Sequence, residues 1–157
     1  MPGPSSQTFQ MKTILVLNGP NLNLLGTREP AQYGHDTLPD VERLCAEAGT
    51  KFGVAIECRQ TNHEGTLVDW LHEAGREVAA GRMLGVVLNA GAYTHTSVAL
   101  HDAIKGASVP VIELHISNVH AREAFRHHSF ISPAARGIIV GLGVKGYALA
   151  IEALTQL

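Results

Sequence analysis

Lys12–Gly34, KTILVLNGPNLNLLGTREPAQYG, passes from an apolar run into a polar, glycine- and proline-punctuated loop. Its opening, Lys12 to Asn18, is a continuous apolar run with β-branched residues, the composition of a strand buried on both faces. From Leu17 to Gly34 that pattern stops. The apolar residues there keep neither a helical nor a strand period, and three Gly, two Pro and three Asn favour irregular backbone. Loops held by a rigid scaffold carry function disproportionately, and this one ends in Arg28, Glu29 and Tyr33, separated by small or turn-forming residues. That is the outline of an active-site lid. A tyrosine phenol ionises near pKa 10 in water, so it serves as a base at neutral pH only beside a cation that favours the anion. Arg28 is the candidate for that cation.

Outward from this stretch, strands and helices alternate to the end of the chain. Thr37 can cap a helix with Pro39 and Asp40 in its first turn and an apolar face of Leu38, Val41, Leu44, Cys45 and Ala48, ended by Gly49 or Gly53. Val54–Arg59 predicts a second strand and Thr66–Ala80 a helix burying Leu67, Trp70, Leu71 and Val78. Met83–Leu88 is a third strand, His95–Lys105 a helix, Val109–Leu114 a fourth strand, and about Asn118–Phe125 a short helix. Gly137–Val140 and Tyr147–Leu157 close the chain as strand and helix. This order predicts an α/β fold: a five-stranded parallel sheet covered on both faces, joined by right-handed crossovers. Ligands bind such sheets beyond the carboxyl ends of the strands, where strand order reverses. The polar clusters fall there: Asn18–Tyr33 after strand one, Asn89–His95 after strand three, and His115–Asn118 after strand four.

Composition narrows the classes. At 157 residues, 45% hydrophobic and 17% charged, the chain fits one domain, expected over residues 12–157 after a disordered extension at 1–11 that is rich in Pro, Gly and Ser. A net charge of −2, spread along the chain, removes the electrostatic case for nucleic acid or an anionic membrane. With no apolar run near twenty residues and no secretory pattern at the start, the expected location is cytoplasmic. Cys45 and Cys58, in a predicted helix and strand, fit small packing residues of a reducing compartment.

Two decoys are set aside. Gly141-Leu-Gly143-Val-Lys-Gly146 has the spacing of a dinucleotide fingerprint, but only eleven residues follow it, leaving no further strand and no acidic residue to hold a ribose. Its glycines fit a tight turn and close packing of the last helix. Nine histidines raise the question of a metal, yet His127 and His128 are adjacent, His115 and His120 are five apart across a predicted loop-to-helix change, and no paired ligand motif occurs. No metal is expected. His95 and His115 stand apart from the others because each lies directly after a strand, at the crevice.

The strings LNGPNLNLLGTREPAQYG, QTNHEGTLVDW, LNAGAYTHTSVALHDAI, VIELHISNVHAREAFRHHSFISP and GLGVKGY together resemble the type II 3-dehydroquinate dehydratases, from Lys12 to the C-terminus. The resemblance implies a flavodoxin-like three-layer sandwich, no cofactor, and a homododecamer built as a tetramer of trimers. It also implies the reaction: a lyase step of the shikimate or quinate pathway, eliminating water from 3-dehydroquinate through an enolate to give 3-dehydroshikimate. On this resemblance Tyr33 is the base, Arg28 its helper, and Asn21 the holder of a water at the enolate oxygen. His115 is the general acid for the departing hydroxyl, and Glu113, two residues earlier on the same strand face, orients it; a carboxylate partner fixes an imidazole's tautomer and favours a protonated ring. The substrate carboxylate meets Asn89 and the amides of Ile116 and Ser117, His95 and Arg126 contact ring hydroxyls, and Asp102 takes part in recognition across a subunit boundary. Asp102 is seven residues beyond His95, roughly 10 Å along the expected helix and far for a short side chain to return to its own crevice. Arg122, four residues before Arg126 on the expected helical face, positions the lid. The alternatives from other classes are a flavodoxin-like flavin or nucleotide module and a metal-dependent hydrolase; a colourless, metal-free purified protein argues against both.

Overall fold

Five parallel strands, β1 (Thr13–Asn18), β2 (Ala55–Gln60), β3 (Met83–Asn89), β4 (Val111–His115) and β5 (Gly137–Val140), form one sheet in the order β2-β1-β3-β4-β5. The structure is a computed structural model that describes residues 10–157. The expected extension at 1–11 therefore lies, for residues 1–9, outside the described residues.

Alternation along each strand splits the core in two. Ile14, Val16, Val87, Ile112 and Leu114 pack against helices α2 (Leu38–Phe52) and α5 (Lys145–Thr155) through Val41, Cys45, Ala150 and Ile151. Leu15, Leu17, Val86, Leu88 and Val111 pack against α3 (Glu64–Ala79) and α4 (Val98–Ala107) through Leu67, Leu71, Leu100 and Ile104. Both faces of β1 are fully buried, as its unbroken apolar run requires. The result is the three-layer α/β sandwich expected from the sequence.

The chain leaves β1 for β2 on one side and later returns to β3 on the other, so strand order reverses at the β1/β3 junction. There the register sets Asn18 beside Gln60 of β2 and Asn89 of β3, a polar edge at the carboxyl ends of three neighbouring strands. Thr37 closes a capping box with Asp40: its hydroxyl accepts the Asp40 amide and its own amide donates to the Asp40 carboxylate at 2.9 Å.

Two helical expectations are corrected. The helix expected from His95 begins at Val98, because Gly91–His95 winds as a 3₁₀ turn and the Ser97 hydroxyl takes the Leu100 amide at 2.9 Å. The helix expected over Asn118–Phe125 is two 3₁₀ turns, Val119–Ala121 and Ala124–Arg126. Between them Arg122 is extended, at φ −112° and ψ −164°. Its carbonyl accepts from His127 Nε2 at 2.9 Å instead of continuing a helix, so Arg122 and Arg126 do not share a helical face. The lid, expected to be irregular, holds one helical turn, α1 (Pro30–Tyr33), which Glu29 enters in left-handed backbone at φ 42°. In the glycine decoy, Gly141 takes φ 82° against the Asn118 backbone, and a Cβ on Gly146 would press on Leu114 and Ile139 at 3.1 and 3.2 Å. These glycines serve a turn and the seating of α5 on the sheet.

Candidate active site

Loops after β1, β3 and β4 meet in a narrow cleft of about 50 Å³. Its walls carry Arg28 and Tyr33 from the lid, Asn89 and His95 from beyond β3, and His115, Ser117, Arg122 and Arg126 from beyond β4. Larger hollows lie elsewhere: one of about 520 Å³ between α2 and α5 is mostly apolar, whereas one of about 360 Å³ adjoins the cleft and shares His95, His115 and Arg126 with it.

His115 and Glu113, both buried, are paired: Nε2 of the ring lies 2.5 Å from Glu113 Oε2. Ser132 and Ser129 also donate to this carboxylate, at 2.7 and 3.0–3.1 Å. Burial alone would raise the Glu113 pKa. The hydrogen bonds from His115 and Ser132, the His115 charge and the Ser129 hydroxyl outweigh it and hold the carboxyl below its ordinary value. His115 lines the cleft, and among the described residues its Nδ1 makes no hydrogen bond. His95 stacks near it, ring centroids 6.4 Å apart and planes 15° from parallel. Its Nδ1 lies 2.8 Å from the His128 carbonyl, which can only accept, so Nδ1 carries the proton and Nε2 is an acceptor. Burial, ahead of its other surroundings, lowers the His95 pKa and favours the neutral ring.

The lid tyrosine is held by two guanidinium groups. Both Arg28 and Arg122 place their central carbon 5.3 Å from the Tyr33 ring centroid. Arg122 Nη1 additionally donates to the Tyr33 phenol oxygen at 2.9 Å and to Ser117 Oγ at 3.2 Å. Arg28 instead turns its end toward Glu29, 3.4 Å away and largely in solvent. The charged donor at the phenol oxygen is thus Arg122, reached from an irregular turn and not from a helix.

Beneath the cleft, the fully buried Tyr147 joins the ends of β1 and β3: its hydroxyl donates to Asn18 Oδ1 at 2.6 Å and accepts from Asn89 Nδ2 at 2.9 Å. Among the described residues Asn18 Nδ2 is left buried without a partner, at a cost of about 1–3 kcal/mol. Beyond β4, the amides of Ile116 and Ser117 make no hydrogen bond among the described residues. Free amides of this kind suit an anion.

Not every expected residue reaches the cleft. Asn21 sits between the lining residues Pro20 and Leu22, in left-handed backbone at φ 68°, its amide donating to Asn62 Oδ1 at 3.1 Å. Asp102 is exposed on α4 and does not line the cleft. With His95 outside that helix, the spacing of two helical turns between them no longer applies. Sequence reasoning missed the anchoring by Ser129, Ser132, Tyr147 and Asn62. The string HSFISP held the two serines, but no spacing rule sets them against Glu113. Among the described residues no group of three or more His, Cys, Asp or Glu is placed to hold a metal ion.

This arrangement of cleft, lid and paired histidine coincides with a family assignment by sequence. A family model described as Dehydroquinase class II matches residues 12–155. The chain belongs to the class II dehydroquinases. It is 85% identical over 144 residues to the 3-dehydroquinate dehydratase of Variovorax paradoxus, covering 92% of this chain and 99% of that one. It is 74% identical to 3-dehydroquinate dehydratase 2 of Ralstonia nicotianae, covering 92% and 94%. The crystal structure of the type II dehydroquinase from Butyrivibrio crossotus superposes with a TM-score of 0.87 at 44% identity, covering 92% and 97%. In this dehydroquinase no helix among the described residues is long and apolar enough to cross a membrane.

The low Glu113 pKa has a consequence for stability. A depressed carboxyl contributes stability that is present above its unfolded value, near 4.5, and is lost as pH falls through the lower folded value. Glu113→Gln is therefore expected to flatten the acid limb of a melting-temperature profile below about pH 5. An acid limb of unchanged steepness would assign that limb to other carboxylates.

Proposed function

We propose that this protein eliminates water from 3-dehydroquinate to give 3-dehydroshikimate, the activity named for its relatives, as a step of the shikimate or quinate pathway. The observation that carries this reading is the convergence on one cleft of a phenol under a guanidinium donor and a carboxylate-paired imidazole. Removing a proton from C2, beside the C3 ketone, calls for a strong base with a low cost of ionisation. The Arg122 donor at the phenol oxygen, with Arg28 near the ring, stabilises a Tyr33 phenolate. The C2 proton passes to that phenolate and the C–H electrons move into the ketone as an enolate. Asn21, which flanks the cleft between Pro20 and Leu22 without lining it, acts on the enolate oxygen through a water that it steadies, the kind of electrostatic support that often supplies a large part of catalysis. The carbonyl then re-forms, the C1–O bond breaks, and His115, aimed by Glu113, gives its proton to the departing hydroxyl. Water leaves, and solvent resets Tyr33 and His115.

Asn89 and the free amides of Ile116 and Ser117 receive the substrate carboxylate, and His95 and Arg126 the ring hydroxyls. Closure of the lid brings Arg28 and Tyr33 over the ring together and excludes water. The protein works without a cofactor, as a homododecamer of four trimers in the cytoplasm, and the exposed Asp102 of one subunit completes a neighbour's cleft. Tyr33→Phe and Asp102→Ala homomers, unfolded and reassembled in equal amounts, are expected to regain activity in roughly a quarter of sites if each site takes the two residues from different chains. Activity that never exceeds the mean of the parents after confirmed exchange would remove Asp102 from the neighbour's site.

The enolate route is tested by adding borohydride during turnover. An imine route requires a desolvated amine in the pocket, and none of Lys12, Lys51, Lys105 or Lys145 lines the cleft. Product formation with unchanged protein mass is expected. A substrate-sized mass increase on any lysine would overturn the enolate reading.

A further inference from the structure

We infer that Tyr147 and Asn18, neither of which lines the cleft, are positioning residues that fix which face of the Asn89 amide the substrate meets. The inference rests on the reading of Asn89 as a carboxylate-binding residue, and it follows from the polarity of one hydrogen-bond chain. The Gly91 amide, which can only donate, lies 3.3 Å from Asn89 Oδ1, so the Asn89 oxygen is committed to it. Nδ2 must then face Tyr147, and the phenol oxygen accepts from it at 2.9 Å. Having accepted from Asn89, Tyr147 must send its single proton the other way, to Asn18, at 2.6 Å. Asn18 must in turn present its oxygen to receive it, which strands its own Nδ2 in the core.

The orphaned amide of Asn18 is thus the far end of a polarity that starts at Gly91. Flipping Asn18 would give that nitrogen a partner in the phenol, but the phenol oxygen would then face two donors and its own proton would have no acceptor to turn to. The flip of Asn89 that relieved this clash would put its NH₂ against the Gly91 N–H. One unsatisfied donor in the core is the least costly arrangement that keeps Asn89 in its observed sense. In that sense one Nδ2 hydrogen is spent on Tyr147 and the second is left for an anion in the cleft. Tyr147 suits the task because burial, ahead of its neighbours, pushes its ionisation well above the ordinary phenol value and keeps it a neutral donor. It is anchored in α5, whereas Asn18 and Asn89 end adjacent strands in register, so the chain ties the floor of the site to both the sheet and its covering helix.

The test is a kinetic cycle in the assembled enzyme with 3-dehydroquinate as the probe: wild type, Asn89→Ala, Tyr147→Phe, the double variant, and Asn18→Leu. The carboxylate does not react, so its contacts are the same in ground and transition states and their loss appears in KM and not in kcat. Tyr147→Phe is expected to raise KM roughly tenfold with kcat within about twofold. In the Asn89→Ala background the same change is expected to leave KM where Asn89→Ala put it, because the effect travels through Asn89. Asn18→Leu removes the acceptor of the phenol proton from a position that touches no substrate, and it is expected to raise KM in the same direction. It also carries the test should Tyr147→Phe fail to fold. A KM increase of equal size in both backgrounds, or wild-type KM in Asn18→Leu, would overturn the inference. If Asn89→Ala itself leaves KM unchanged, the carboxylate reading of the cleft fails and this inference with it; if Asn89→Ala raises KM while Tyr147→Phe and Asn18→Leu do not, the inference alone fails.

Discussion

Tyr33→Phe is expected to lower kcat by about 10²–10⁴-fold while substrate binding changes little. The substitution removes one oxygen and keeps the ring that lies 5.3 Å from both the Arg28 and Arg122 guanidinium carbons. Those contacts hold the lid turn Pro30–Tyr33 in place, so the cleft still closes and the carboxylate contacts beyond β3 and β4 persist. What disappears is the only phenol in the cleft lining, and with it the oxygen that Arg122 meets at 2.9 Å. Rate constants measured under saturating substrate, with a direct binding measurement beside them, separate the two effects. A variant turning over within a few fold of wild type would show that another group removes the C2 proton.

The second large effect is expected at His115. His115→Gln keeps a donor for the buried Glu113 carboxylate, which would otherwise rely on Ser129 and Ser132 alone, but it has no proton to give at neutral pH. Loss of an acid in the departure of hydroxide costs about 10²–10⁴-fold in kcat. His95 is a poor substitute although its ring is stacked close by, because burial favours its neutral form and its Nδ1 proton is engaged by the His128 carbonyl. Turnover in His115→Gln within a few fold of wild type would move the acid role elsewhere, and the pH profile of the variant would identify the group that took it.

The sheet and its two helical layers were readable because their signals are local. Lys12–Asn18 is apolar without alternation, and its strand is buried on both faces. Thr37 and Asp40 have the spacing of a cap and form one. The loops after β1, β3 and β4 could be assigned to one crevice from strand order alone. Reading failed where a long-range partner outweighed local pattern. Helical spacing in VHAREAFR suggested a continuous helix, whereas Arg122 breaks it to reach Tyr33, 89 positions earlier in the chain. Asn18 and Tyr147 are 129 positions apart, and nothing near either residue announces their pairing. The left-handed backbone at Glu29, which opens the helical turn in the lid, is likewise a property of the folded loop that composition does not carry.

Elimination through Tyr33 is read directly from the absorbance of a conjugated enone after 3-dehydroquinate is added to the purified, metal-free protein. A steady rise is expected with wild type, insensitive to chelator and to borohydride, and a nearly flat trace with Tyr33→Phe at the same concentration. No enone from the wild-type protein, or an equal rise from Tyr33→Phe, would contradict elimination through Tyr33.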